Sequence, residues 1–476
     1  MSDSFPRAGR RISSDTATRQ TLATVPEAKR IRSDRFLSAP MLVGLGLYGL
    51  FALTFASFRI NNDGRVYFDF LRRFLGEDVQ NGYTSQFATA FFNLPFYVAA
   101  KAFEAVSGVS SAFDTPLTEV SITIASTVAL VVTLYLGWRI LGGLELPAGP
   151  TVLLLALFGS PLFYYTVFQP AYKHAVDALF LTLIAFLLQQ ATERSSSRLA
   201  LALGASLAVL FMIRFANIAL LPGVLLALVL VRQWRNAGLV VAAGVVAVVL
   251  MFAVPAARGI TLEGDNQAVR LAIDIPWPGE QNLEKDDYWG LCPQPNGDFT
   301  LSFWQCMHAK LGLWFDPWAP AKMLFSVERG LFLWTPLTAL ATLGVVLLLV
   351  RRPDRRPFLL GLSAAAALLV GSHIMWADFW TGGYSFSQRF LTSLFPLFLI
   401  GTAELIRRWR GAAIGVLSLC ALFSVFVAFN HFYGYRGVNE RDGLGTILNL
   451  YVTGERTPDG LARTIGVHAL DRWGLR

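Results

Sequence analysis

Residues 59–92 read RINNDGRVYFDFLRRFLGEDVQNGYTSQFATAFF, and how this stretch is read decides the fold. One apolar run, Leu37–Ser57, ends just before it, and another, Phe91–Val106, starts at its far end. If the second run crosses a membrane, every later loop changes side. Within the stretch, Val66, Phe70 and Phe74 recur every four residues, with Arg65, Asp69, Arg72 and Arg73 between them. That spacing predicts a short helix over 65–76 lying in the membrane interface. Phe91–Val106 is broken by Pro95 and carries Lys101 and Glu104. We read it as a second interfacial helix. The alternative would put Arg351, Arg352, Arg355 and Arg356 on the outer face, against the tendency of Lys and Arg to mark cytoplasmic loops.

The remaining composition fits a membrane chain. Of 476 residues, 54% are hydrophobic and only 15% are charged, where soluble domains carry about 25% charged residues. The apolar blocks run to roughly 17–25 residues, long enough to cross about 30 Å of hydrocarbon. A formal charge of +8 needs no nucleic-acid partner, because Lys and Arg at the cytoplasmic ends of spans account for it. The expected fold class is an all-α polytopic membrane protein with about 11 transmembrane helices, in a range of 10–13. After the first, the runs are Glu119–Trp138, Thr151–Phe168, His174–Leu188, a pair meeting at Arg214, Leu239–Val254, Leu331–Val350, Phe358–Met375, Phe390–Ile406 and Ala412–Phe429. Residues 1–36 read as a disordered cytoplasmic tail without the pattern of a cleavable signal. Residues 37–430 form the transmembrane domain, with 60–118 as the first outer loop and 256–321 as a large, acidic outer loop. Residues 431–476 form an extracytoplasmic tail.

Cys292 and Cys306 both fall in the large outer loop and are expected to pair if that face is oxidising. The histidines are scattered and show no metal-ligand spacing, so no metal site is expected.

Charged groups at membrane depth are expensive and are candidates for function. In this topology they gather at the outer ends of the spans. Asp63 is the candidate catalytic base, with an N-cap as the plainer reading. Asp69 and Glu328 are secondary acids. Asp69 is equally readable as an ion pair with Arg65 or Arg73, and Glu328 as a span-end cap. Lys173, His174, Arg214, Arg329 and Arg389 are the candidate phosphate ligands, each otherwise an interface anchor. The Arg fork suits bidentate contact with phosphate. Several cations and one carboxylate on one face suit a polyprenyl-phosphate-linked sugar. Cations hold the phosphate that leaves, while the carboxylate takes the proton of an incoming hydroxyl. Displacement in one step inverts the anomeric carbon.

The order of these motifs resembles that of bacterial membrane glycosyltransferases of the GT-C superfamily, which includes the lipid A aminoarabinose transferases and protein mannosyltransferases. The matching residues are Asp63 after the first span, Tyr67, and Asn93–Leu94–Pro95–Phe96–Tyr97. Further along come Tyr172–Lys173–His174–Ala175, Glu328–Arg329–Gly330–Leu331–Phe332 with Pro336, and the stretch from Trp380 to Arg389. The resemblance implies a GT-C type fold with its active face on the periplasmic side of a bacterial inner membrane. It implies an inverting glycosyltransferase that moves a sugar from a polyprenyl-phosphate donor to a glycolipid, a cell-envelope glycan or a protein. It also points to Tyr67, Tyr172, Trp380 and Tyr384 as sugar or acceptor contacts. The usual Asp–Glu pair is Asp63–Gly64 here, so a role that needs paired carboxylates loses support. A divalent cation is compatible with the chemistry but not required. The competing expectations are a transporter or flippase of a lipid-linked saccharide and a non-catalytic assembly protein.

Overall fold

Proline and glycine decide where the apolar runs of this chain stop being one helix. The computed structural model describes residues 36, 38–60, 62–79, 87–258, 317–375, 385–434 and 443–473, with Asn62, Asp63 and Gly434 placed by backbone alone. All of them belong to one unit, Phe36–Arg476. Helix α1 (Ala39–Phe55) takes a proline in its first turn, where no N–H is needed. Helices α2 (Asn62–Phe74) and α3 (Ala88–Ser107) follow. Helix α3 continues through Pro95 and ends at Gly108, whose φ of 72° suits a left-handed cap. A small antiparallel hairpin, β1 (Ser111–Ala112) and β2 (Thr115–Pro116), turns on Phe113 and Asp114, both at positive φ. It feeds α4 (Leu117–Gly143). Next come α5 (Pro150–Phe158), α6 (Pro161–Val167), α7 (His174–Glu193) and α8 (Ser197–Ile213). A 3-10 turn, Phe215–Leu220, leads into α9 (Leu221–Leu230) and then α10 (Trp234–Ala257). Past residue 316 the chain forms α11 (Ala319–Phe325), α12 (Leu331–Trp334), α13 (Pro336–Arg351) and α14 (Arg356–Ser372). It finishes with α15 (Phe395–Gly434), α16 (Leu444–Val452) and α17 (Pro458–Arg472).

Several helices are apolar and of membrane length, but far fewer than the sequence suggests. Among the described residues four pass by length and composition: Leu117–Gly143, His174–Glu193, Trp234–Ala257 and the run Arg389–Tyr433. Counting each of two bent pairs as one span raises the number to 6. The expected GT-C type fold, with about 11 transmembrane helices of ordinary spanning length, is therefore corrected. Apolar length in the sequence does not become unbroken helix length. Helices α1 and α8 have 17 residues each, about 25 Å at 1.5 Å per residue, against about 30 Å of hydrocarbon. The run 151–168 breaks at Gly159–Ser160–Pro161, where α5 and α6 bend by 81°. Across the turn at Pro353, α13 and α14 bend by 103°. Arg410 alone leaves helical geometry inside α15, at φ 30° and ψ −104°, where the sequence suggests a loop between two spans.

The helix after α1 also differs in detail. Helix α2 buries Tyr67, Phe68, Phe70, Leu71 and Phe74, while Val66 is 40% exposed. Its apolar face is thus rotated from the expected line through Val66. Helix α3 has 20 residues but is not among the helices apolar enough to cross.

Helices α4 and α7 run side by side in the same direction. Gln189, in the last turn of α7, donates to the Ile140 carbonyl near the end of α4 at 3.2 Å. Around them α8 packs on α7 and α10, α9 on α14, and α13 on α15. The last contact is tight, because a Cβ on Gly344 would lie 2.2 Å from the Gly401 carbonyl oxygen. Small residues allow this close approach where lipid supplies no hydrophobic drive. Helix α10 leaves Val245, Val246, Val249 and Leu250 exposed. The ends of α4 and α7 are tied by Arg352 to Glu145 at 3.1 Å and by Arg355 to Glu193. The opposite end, where α7 begins, gathers the polar residues of interest.

Candidate functional site

The turn before α7 is the centre of the site. Tyr172 N–H donates to the Gln169 carbonyl at 3.2 Å, which turns the chain and starts α7 at His174. Helix α2 comes up against this turn through Gly64. A Cβ there would lie 2.9 Å from Ala171 Cβ and 3.1 Å from Ala171 O. The first turn of α2, which carries Asp63, is therefore docked beside Lys173 and His174. Lys173 Nζ lies 5.8 Å from the centre of the Tyr67 ring, a cation–π contact between the turn and α2. The ring of His174 is 4.3 Å from that of Tyr165 and 6.1 Å from that of Tyr172.

Residues 385–394 form a second wall. Tyr165 donates to the Phe386 carbonyl at 3.0 Å, and Tyr164 stacks on the Phe386 ring at 4.6 Å. Arg214 donates from Nη1 to the Phe390 carbonyl at 2.8 Å and lies 4.6 Å from the Phe390 ring centre. Arg389 approaches the same ring at 5.2 Å. The third wall is the turn into α12. Arg329 donates to the Glu328 carbonyl at 2.8 Å and lies 5.0 Å from the centre of the Trp334 ring. Trp334 meets Phe386 edge-on at 5.4 Å and His431 at 5.6 Å. One aromatic network thus joins Arg329 to the turn at Lys173.

Cations are concentrated in this network. Lys173 is 8% exposed, and Arg214 and Arg329 are fully buried at 0%. Arg389, Arg214 and Lys173 all act electrostatically on His174, and Arg329 acts on Tyr164. The buried anion among these described residues is Asp177, 3.6 Å from Arg214 and accepting from Asn217 Nδ2 at 2.7 Å. Arg214 is therefore largely engaged in holding α7, α8 and the Phe390 segment together. Cations and aromatic rings thus meet beside the turn, a setting that suits an anion with several oxygens.

A charged clamp fixes the far end of α2. Glu77 accepts from Arg72 Nε at 2.8 Å and from the Tyr97 hydroxyl on α3, with Lys101 at 3.8 Å. Burial raises the Glu77 carboxyl, but the bonds from Tyr97 and Arg72 outweigh it and hold the group below its ordinary value. At the near end, Arg65 pairs with Glu119 of α4 at 3.2 Å, and Glu119 also accepts from the Ile60 N–H at 3.1 Å.

No protein-family model and no curated protein matches this chain. The site stands on its own residues.

Of the residues singled out from the sequence, Lys173, His174, Arg214, Arg329, Arg389, Tyr67 and Tyr172 are brought into the network described above. Asp69 lies between Arg65 at 3.1 Å and Arg72 at 3.7 Å. The pair with Arg65 is one of the two that the i,i+4 spacing offers, and Arg72 adds to it. Glu328 is exposed, and the segment at Gly443 docks against its backbone. A Cβ on Gly330 would lie 2.3 Å from the Ser326 carbonyl oxygen, so this turn closes tightly on itself. Cys292, Cys306, Trp380 and Tyr384 lie outside the described residues. Among the described residues no group of three or more His, Cys, Asp or Glu is arranged to hold a metal ion. Sequence reasoning missed Phe386, Trp334 and His431, since an aromatic ring in an apolar chain carries no contrast.

Proposed function

We propose that the chain is an inverting glycosyltransferase. It moves a sugar from a polyprenyl-phosphate donor to a glycolipid, a cell-envelope glycan or a protein. The observation that carries this reading is the set of cations Lys173, Arg214, Arg329 and Arg389 in one aromatic network beside the turn of α2 that bears Asp63. The order of motifs that resembles bacterial GT-C superfamily glycosyltransferases supports it. Lys173, Arg329 and Arg389 hold the donor phosphate. Asp63 takes the proton from the acceptor hydroxyl as its oxygen bonds to the anomeric carbon. The bond from that carbon to the phosphate oxygen breaks, polyprenyl phosphate leaves as the anion, and configuration inverts. Tyr67, Tyr172, Trp380 and Tyr384 flank the sugar or acceptor.

Orientation follows from charge. Arg194, Arg198, Arg351 and Arg356 occur in the chain near the end of the bundle away from His174, so that end faces the cytoplasm. The site then faces the periplasm of a bacterial inner membrane. A divalent cation could assist at the phosphate.

The test uses purified protein in nanodiscs with polyprenyl-phosphate sugars and a membrane-glycan extract, following release of polyprenyl phosphate. Wild type should transfer sugar, and Asp63→Asn should slow transfer by about 10²–10⁴-fold while still binding donor. Undiminished transfer by the variant would remove Asp63 as base. Movement of donor across a vesicle membrane without any transfer would replace the enzyme with a flippase.

A further inference from the structure

The large majority of buried polar side-chain atoms in folded proteins have a hydrogen-bond partner. Among the described residues the exceptions are densest in one short stretch. Ser387 Oγ, both amide atoms of Gln388, Thr392 Oγ1 and Ser393 Oγ have no hydrogen-bond partner among the described residues, although these residues are 0–1% exposed. His174 Nδ1 is in the same state at 1% exposure. The two sets are neighbours. The segment Arg389–Leu394 packs against α7 and α6. The Phe386 carbonyl holds the Tyr165 hydroxyl, and the Tyr165 ring lies 4.3 Å from that of His174. Ser387 also sits at φ 49°, a backbone region that side-chain-bearing residues avoid and that clusters at ligand sites.

The chemistry of these groups is specific. Hydroxyls, one amide and one imidazole nitrogen offer both donors and acceptors without net charge. They stand next to the cations assigned above to the phosphate. Asp177, a nearby carboxylate, is held by Arg214 and Asn217. We infer that Ser387–Ser393 and His174 form the subsite for an uncharged, polyhydroxylated sugar ring, with Gln388 giving a donor and an acceptor to adjacent hydroxyls. The inference rests on the glycosyl-transfer reading and narrows it to a neutral sugar. The ring belongs to the donor, because the segment continues directly into Arg389.

The test measures binding to protein in nanodiscs of four probes: polyprenyl phosphate, polyprenyl-phosphate glucose, a polyprenyl-phosphate aminopentose and methyl glucoside. Wild type should bind the glucose-bearing lipid more tightly than either the bare phosphate or the aminopentose lipid. Gln388→Met should weaken binding of the glucose-bearing lipid about tenfold, the loss of roughly one buried hydrogen-bonded pair, and leave the bare phosphate unchanged. Ser387→Ala, a smaller change, should act in the same direction if Gln388→Met lowers protein yield. A variant that loses only methyl glucoside binding would overturn the inference, because the ring would then belong to the acceptor. Equal binding of all lipids by wild type and both variants would overturn the inference while leaving the transferase reading intact, and would assign the buried atoms to internal water. Tighter binding of the aminopentose lipid would also overturn it. Failure of wild type to bind any lipid would remove both the inference and the reading beneath it.

Discussion

Gly64→Ala is the sharpest single perturbation of the site. It adds one methyl group and removes no charged or polar atom. Carbon atoms in ordinary contact lie about 3.5–4.0 Å apart. The added methyl would lie 2.9 Å from Ala171 Cβ and 3.1 Å from Ala171 O. Relief requires roughly 0.6–1 Å of separation between α2 and the turn that starts α7. Neither side yields easily. Helix α2 is fixed through Arg65 to Glu119 and through Arg72 to Glu77, and the turn is held between α6 and α7. Overpacking of this kind costs about 1–3 kcal/mol, so the melting temperature of the purified protein should fall by a few degrees. The larger effect should be on turnover, because a reacting group misplaced by about 1 Å costs about 10²-fold. Release of polyprenyl phosphate under saturating donor is the assay. Ala171→Gly in the Gly64→Ala background removes the closest atom and should restore about tenfold of the loss, the carbonyl contact keeping it from full recovery. Turnover by Gly64→Ala within about threefold of wild type, with an unchanged melting temperature, would refute the docking of α2 on this turn as the means of placing Asp63.

Arg389→Lys keeps the charge but loses the planar fork, so donor KM should rise about tenfold with a smaller change in kcat, read from initial rates. Arg214→Met leaves Asp177 buried with only Asn217 to hold it, and thermal unfolding in detergent should show a loss of about 3–5 kcal/mol. Adding Asp177→Leu should recover much of that loss, since the pair is then removed together. The clamp at Glu77 gives a pH dependence. Its folded value lies below the ordinary 4.5, so its contribution is complete above the unfolded value and is lost as pH falls through the folded one. Amide exchange over residues 66–74 should accelerate below pH 4.5 in wild type, whereas Glu77→Gln should exchange at a rate independent of pH in that window after correction for intrinsic rates.

The helical, membrane-compatible character of the chain is legible in its composition, and so are some borders. The sequence places the start of one run at His174 and the end of another near Ile213, where α7 begins and α8 ends. The number of spans is not legible. Hydropathy reports how far apolar residues extend, but Gly159–Ser160–Pro161 bends one such run by 81°, and Arg410 redirects α15 through a single residue's dihedrals. The basic cluster Arg407, Arg408 and Arg410 announces a break there, but not that one residue carries it. For the site, charge inside apolar sequence pointed to Lys173, Arg214, Arg329 and Arg389. Their surroundings were hidden, because Trp334 and Phe386 look like any other residue of an apolar run. Gln388 was hidden for a different reason. A glutamine beside an arginine near a loop end reads as solvent-exposed until its burial is known.

The last described helix reaches back to the first. Arg472 donates to the Ala56 carbonyl at 2.9 Å across 416 positions, and the Trp473 indole donates to Thr54 Oγ1 at 3.2 Å across 419. Chains grow at about 5–20 residues per second, so α1 leaves the ribosome roughly 20–80 seconds before the groups that pin its exit. During that interval the strand of chain leading to Asp63 has no closing partner from α17. A chain lacking α17 would carry every cation of the site and still lack this fastening.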